Sequence, residues 1–256
     1  MRLWPCHKSA LSLACVFAIA LSSCAHLENG VKGREKAKIY LQLAADQFSQ
    51  RQYSKAVEST QEAIALDPNF AAAYNHLGIL YMETKRYPKS EQAFNKALEI
   101  QTAYPEVFNN LGVLFNRQEK YAQAITYFEK ALADDRYSTP ENALTNMGHS
   151  YYKLGNLTKA KTLHQKALDL TPEFCLACKN MGDVYAKEKN YGKASDFFQK
   201  AITTCPLYEE SQYKLGLALM KMGNRRTART QFEKLVERHK NGPYVERSNE
   251  VLKYLQ

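Results

Sequence analysis

The sequence predicts an all-α chain in which helical hairpins follow one another at a fixed period. Three observations carry this. Aligned with itself, the chain repeats every 34 residues, with units starting at Ala37, Ala71, Pro105, Glu141, Cys175 and Glu209; one spacing is 36, through the extra Thr139 and Pro140. The eighth position of each unit is Ala44, Gly78, Gly112, Gly148, Gly182 or Gly216. Alanine or a similarly small residue recurs at the twentieth position (Ala56, Ser90, Ala124, Ala160, Ala194, Ala228) and, but for Leu235, at the twenty-seventh (Ala63, Ala97, Ala131, Ala167, Ala201).

Each element follows from these positions. In the first helix of a unit a large apolar residue (Leu43, Leu77, Leu111, Met147, Met181, Leu215) precedes the tiny one, and Tyr81, Phe115, Tyr151 or Tyr185 follows one turn later. Glycine inside a helix costs about 1 kcal/mol relative to alanine. Five at one register imply that a neighbouring helix approaches too closely for a Cβ. The second helix carries Phe94, Phe128, Phe198 or Phe232 between its small residues, at helical 3 and 4 spacing. Pro68, Pro172 and Pro206 push the preceding residue out of the α region and end that helix. Departures are Gln47, Thr60 and His164 in slots that usually hold larger apolar groups, and Arg225 in place of an aromatic.

Together these residues resemble the tetratricopeptide repeat over residues 37–242, in six units of 37–70, 71–104, 105–138, 141–174, 175–208 and 209–242. The resemblance implies a right-handed solenoid. Residues 243–256 carry Val245, Val251, Leu252 and Leu255, which suits a capping helix over the last repeat.

The N-terminus reads as an export signal over residues 1–23, with Arg2 and Lys8 ahead of an apolar stretch from Ala10 to Leu21. That stretch is too short for a comfortable membrane span, which takes about 20 residues. Leu21-Ser22-Ser23-Cys24 resembles a bacterial lipobox, which implies cleavage before Cys24 and its acylation. Two or more acyl chains give stable membrane attachment. Ala25 follows the cysteine where an Asp would favour inner-membrane retention, so the expected location is the periplasmic face of the outer membrane. Residues 24–36 are expected to be the lipidated cysteine and a flexible tether, on the strength of two glycines and few apolar residues.

The chain carries 35 Lys and Arg against 26 Asp and Glu, a net charge of +9, at a mean hydropathy of -0.50. This excess is spread over helices, a weak pointer to nucleic acid, and none is expected as a partner. No phosphate loop, zinc-protease helix or nucleophile elbow occurs. The expected chemistry is therefore none: no catalytic residues, no metal, no cofactor and no small-molecule substrate. Cys175 and Cys178 have CxxC spacing without the second pair that a zinc site needs or the βαβ context of a redox site. The antiparallel hairpin brings both near Cys205, so an oxidising compartment favours one disulfide, Cys178 with Cys205 or Cys175 with Cys205. Three reduced packing cysteines are the alternative.

In repeats of this family the first helices line the inner groove with their second, fifth, ninth and twelfth positions. In the first three units these include Leu41, Ala45, Phe48, Asn75, Ile79, Met82, Asn109 and Val113, an apolar row with two amides. Exposed apolar side chains collected on one surface point to a partner, or else to packing against the tether or other repeats. Later units present Lys179, Asp183, Lys187, Tyr213 and Lys221, a polar and net basic lining.

The lipobox, the short tether, the 36-residue spacing and the runs Tyr40-Leu41-Gln42-Leu43, Phe108-Asn109-Asn110-Leu111-Gly112 and Asp135-Arg136-Tyr137-Ser138-Thr139-Pro140-Glu141 resemble the type IV pilus pilotin lipoproteins, and the cysteine-bearing fifth unit resembles their social-gliding branch. That resemblance implies a non-enzymatic, outer-membrane-anchored factor. It would bind secretin subunits through an amphipathic helix or C-terminal tail and promote their targeting and multimerisation. A periplasmic adaptor that recruits peptidoglycan enzymes or another envelope complex would use the same fold.

Overall fold

The computed structural model describes residues 32–255, which hold thirteen helices and no strand. They run as α1 (residues 32–49), α2 (Tyr53–Leu66), α3 (Ala71–Glu83), α4 (Tyr87–Ile100), α5 (Pro105–Arg117), α6 (Tyr121–Leu132), α7 (Pro140–Lys153), α8 (Leu157–Leu170), α9 (Cys175–Lys187), α10 (Tyr191–Thr204), α11 (Glu209–Lys221), α12 (Arg225–Arg238) and α13 (Pro243–Lys253). Odd and even helices through α12 pair as the six hairpins. The fold is all-α, built of tetratricopeptide-type repeats. Two compact units divide after Ala103: one contains α1 to α4, the other α5 to α13. The expected signal segment, Cys24 and the expected tether through residue 31 lie outside the described residues.

The expected tether is wrong in its last five residues, which are helical and belong to α1. Gly33 does not loosen the chain. A Cβ there would stand 3.0 Å from the Leu66 carbonyl oxygen, so glycine lets α1 approach the end of α2. Arg34 adds an ion pair with Asp67 at 3.2 Å.

The recurring glycines have one cause. A Cβ on Gly78, Gly112, Gly182 or Gly216 would come within 2.4–2.5 Å of the ring of Phe94, Phe128, Phe198 or Phe232 on the paired helix. In the first hairpin both partners change together, Ala44 for glycine and Thr60 for phenylalanine, so a larger residue faces a smaller one. Thr60 stays satisfied by donating to the Ala56 carbonyl at 2.7 Å. In the fourth hairpin His164 fills the aromatic slot, its ring against Gly148. Gly112→Ala is expected to cost about 2 kcal/mol, because a methyl cannot enter a native-density core without moving the Phe128 ring. The midpoint of urea unfolding measures it.

A second register lies in the hairpin turns, where sequence gave no signal. Arg51, Lys85, Glu119, Gly155, Lys189 and Gly223 all take positive φ, between 58° and 83°. Each left-handed residue reverses the chain after a first helix, and the next amide reaches back to its last turn, as Arg86 does to the Tyr81 carbonyl at 2.7 Å. Only two of the six are glycine. The other four tolerate a conformation that costs an L-residue roughly 1–2 kcal/mol.

At the C-terminal end, α13 packs on α12 and α11. Leu255, Val251 and Leu252 cover Ala228 and Phe232, and Val245 is buried, which completes the expected cap.

Candidate functional site

The expected groove residues fall in both compact units, and their burial separates them into classes. Leu41 on α1 is half-buried against Ala37, Ala63 and Ala73. Phe48 is half-buried too. Its ring meets Tyr53 edge-on at 5.8 Å and His76 at 6.0 Å, so it helps hold α1 to α2 and α3. A charge at Phe48 would therefore disturb the fold as well as any surface.

Met82 is only 4% exposed and is not available to a partner, against expectation. It stands one turn after Gly78 and eleven residues after Ala71, on a row of α3 whose members Ala71 and Gly78 are also buried. Ala45, Asn75 and Ile79 remain half-buried and line the accessible part of α1 and α3.

In the second unit Asn109 and Val113 on α5 are half-buried. Asn109 is already engaged: its side-chain oxygen accepts from Asn146 at 3.3 Å. Asn116 donates to the Asn146 carbonyl at 3.3 Å, and the Ser150 hydroxyl donates to Asn116 at 2.7 Å. This ladder fixes α5 against α7. The sequence offered the amides but not their pairing.

The later lining is not net basic at its centre. Lys179 and Lys214 share Asp183 and Glu210 in a four-member network across α9 and α11, with contacts of 2.6–3.4 Å. Burial by itself would raise the Glu210 carboxyl, but the charges and hydrogen bonds of Lys179 and Lys214 outweigh it and hold it below the ordinary value. Burial would likewise lower Lys214, and Asp183 and Glu210 outweigh it and raise it. Beside this network a hollow of about 250 Å³ is lined by Asp183, Tyr191, Lys214, Leu217 and Lys221.

The cysteines are settled by geometry. Cys175 and Cys205 form the disulfide, with Cα atoms 6.1 Å apart. The pairing of Cys178 with Cys205 is not made. Cys178 is fully buried among Ala167, Met181 and Ala201, one helical turn beyond Cys175, and it is a free thiol. Burial pushes that thiol up, away from reactive thiolate. Among the described residues no group of three or more His, Cys, Asp or Glu could hold a metal ion, and no helix is long and apolar enough to cross a membrane.

Comparison with known proteins agrees with this architecture. Tetratricopeptide-repeat family models match residues 47–85, 69–136, 141–174, 177–206 and 210–242. No curated protein sequence gives a significant match. Among solved structures, PilW, a widely conserved type IV pilus biogenesis factor, is 26% identical with a TM-score of 0.74 over 82% of this chain and 97% of its own. PilF of Pseudomonas aeruginosa is 19% identical with a TM-score of 0.70 over 86% and 99%. The Cut9–Hcn1 hetero-tetramer of the APC/C is 17% identical with a TM-score of 0.75, over 86% of this chain and 43% of that one, so it shares the fold alone. With the repeat register visible in packing, turns and family matches alike, the chain is a tetratricopeptide-repeat protein that resembles type IV pilus biogenesis factors.

Proposed function

We propose that this chain is a pilotin: a lipid-anchored, non-enzymatic factor that binds secretin subunits and promotes their outer-membrane targeting and multimerisation for type IV pilus assembly. The observation that carries the reading is the likeness to PilW across nearly that protein's whole length. The lipobox-like Leu21-Ser22-Ser23-Cys24 adds the anchor and the location at the periplasmic face of the outer membrane. The accessible row of Ala45, Asn75 and Ile79 supplies a binding surface of suitable chemistry, where the apolar atoms of Ala45 and Ile79 give affinity. Binding a hydrophobic segment of the subunit shields it in transit, and the acyl chains deliver it to the membrane.

Ala45 and Ile79 are the test positions, since Phe48 and Met82 serve the fold. The double variant Ala45→Arg, Ile79→Glu is expected to keep its helicity and to weaken secretin binding at least about thirty-fold, the scale of an interface hot spot. Heat-resistant secretin multimers in envelopes should then fall to the level of a deletion strain. Normal multimers in cells carrying the folded variant would move the binding surface elsewhere. Normal multimers in the deletion strain itself would end the pilotin reading.

A further inference from the structure

One face of α1 has no packing partner among the described residues of its unit. In later repeats the seventh position is buried, as Leu77, Leu111, Met181 and Leu215 are. On α1 the same position, Leu43, is 44% exposed, and Ile39 beside it is 68% exposed. Tyr40 at the edge is 38% exposed.

The strip is more than apolar. Lys32, Lys36, Ile39 and Leu43 follow a 4-3-4 spacing, so they stack along one side of the helix, while Ala37, Leu41, Ala44 and Phe48 repeat that spacing on the packed side. The other charges of the helix are engaged: Arg34 with Asp67, Lys38 with Glu35 at 2.8 Å, and Asp46 by Gln42 at 3.2 Å. Lys32 and Lys36 are exposed and make no ion pair among the described residues. The result is a helix with aliphatic side chains flanked by lysines that have no acidic partner among the described residues, the composition of a segment that lies in a bilayer interface.

We infer that this face of α1 docks on the surface of a membrane that contains acidic phospholipid, and that it orients the repeats relative to the bilayer. The inference rests on the proposed anchor at Cys24. Seven residues separate Cys24 from Lys32, and the eight steps between them at 3.3–3.6 Å each reach at most about 30 Å. An anchored chain cannot carry α1 far from the lipid, and the sign of its free charge matches acidic headgroups. A second copy packed parallel to α1 on this face would instead bring the two sets of lysines together.

A fluorescent reporter tests it. Trp4 is the only tryptophan in the sequence and precedes Cys24, so Leu43→Trp gives the processed chain a single probe. The lipidated protein is reconstituted into phosphatidylethanolamine and phosphatidylglycerol vesicles with brominated acyl chains, and its intact mass records the acyl groups. Emission should shift to the blue and be quenched by bromine. Adding Lys32→Gln and Lys36→Gln should lower the docking constant roughly thirty-fold, about fivefold for each lysine. Water-like emission from an acylated, anchored chain overturns the docking surface and leaves the anchor standing. If the mass shows no acyl group, quenching of the unanchored chain on the same vesicles supports the surface while the anchor reading falls, and absence of quenching overturns both. A blue shift already present without vesicles also overturns the proposal: dependence on protein concentration would assign the face to a second copy, and independence would assign it to residues 25–31.

Discussion

Cys205→Ser should lower the stability of the oxidised protein by about 3–4 kcal/mol, the chain-entropy value for a loop of this size. The bond closes 30 residues, from the first residue of α9 to the residue that caps α10. In an antiparallel hairpin these two ends are neighbours, so the bond constrains the unfolded chain without drawing folded elements together. Reductant should shift the unfolding midpoint of the wild type to that of Cys205→Ser and leave the variant unmoved. Cys178→Ala should keep this sensitivity, because Cys178 is a packing residue and not a member of the pair. Titratable thiols at Cys175 and Cys205 in unfolded protein isolated without reductant, or a midpoint indifferent to reductant, would count against the bond.

His164→Phe is expected to stabilise the protein and to remove much of its sensitivity to acid. His164 is fully buried in the slot that four other repeats fill with phenylalanine, and neither ring nitrogen has a hydrogen-bond partner. Burial, reinforced by the charges of His149 and Lys179, lowers it to about 3. The unfolded chain takes up this proton near pH 6.5 and the folded chain does not. The stability is therefore fully present above the ordinary value and is lost as pH falls toward the folded one. Linkage gives a loss of about 3 kcal/mol between neutral pH and about pH 4. His149, lowered to about 4 by burial and then by Lys179 and Lys153, adds to the same trend. Near neutral pH the phenylalanine should gain about 1–2 kcal/mol by removing unpaired buried nitrogens, and its acid profile should be flatter. Parallel acid profiles for the variant and the wild type would show that the proton goes elsewhere.

The parts of this fold that could be read in the sequence are those set by backbone-scale sterics. A glycine that faces an aromatic ring leaves the same mark in five units, and in the first unit Ala44, larger than glycine, stands opposite Thr60, smaller than phenylalanine. Burial at the groove positions is different, because it depends on what neighbouring side chains do. Met82 looked accessible by its place in the repeat, yet it shares a row with buried Gly78 and Ala71. Asn109 looked free and is tied to Asn146 on another helix. Lys179 looked basic and is neutralised by acids on two helices. The tether failed at Gly33 for a related reason: glycine marks close approach as readily as flexibility, and the Leu66 carbonyl that it faces is 33 residues away. The four non-glycine left-handed turns left no trace in composition.

The position of Cys178 has a consequence for how the native bond is chosen. Before folding, Cys205 can close a loop with Cys175 or with Cys178, and the two loops differ by three residues in about 30. Loop closure grows only with the logarithm of length, so the difference is worth on the order of 0.1 kcal/mol and an unfolded chain oxidises to both isomers at similar rates. Selection begins when α9 forms and turns Cys178 into the core, out of reach of oxidants and exchange partners, while Cys175 stays at the helix start beside Cys205. Fidelity of pairing is thus a kinetic property of one helix. Of the chains oxidised before α9 folds, about half carry the inner cysteine bonded, and they return to the native pair when the Cys175 thiolate attacks the Cys205 sulfur and releases Cys178, or by exchange with an outside thiol.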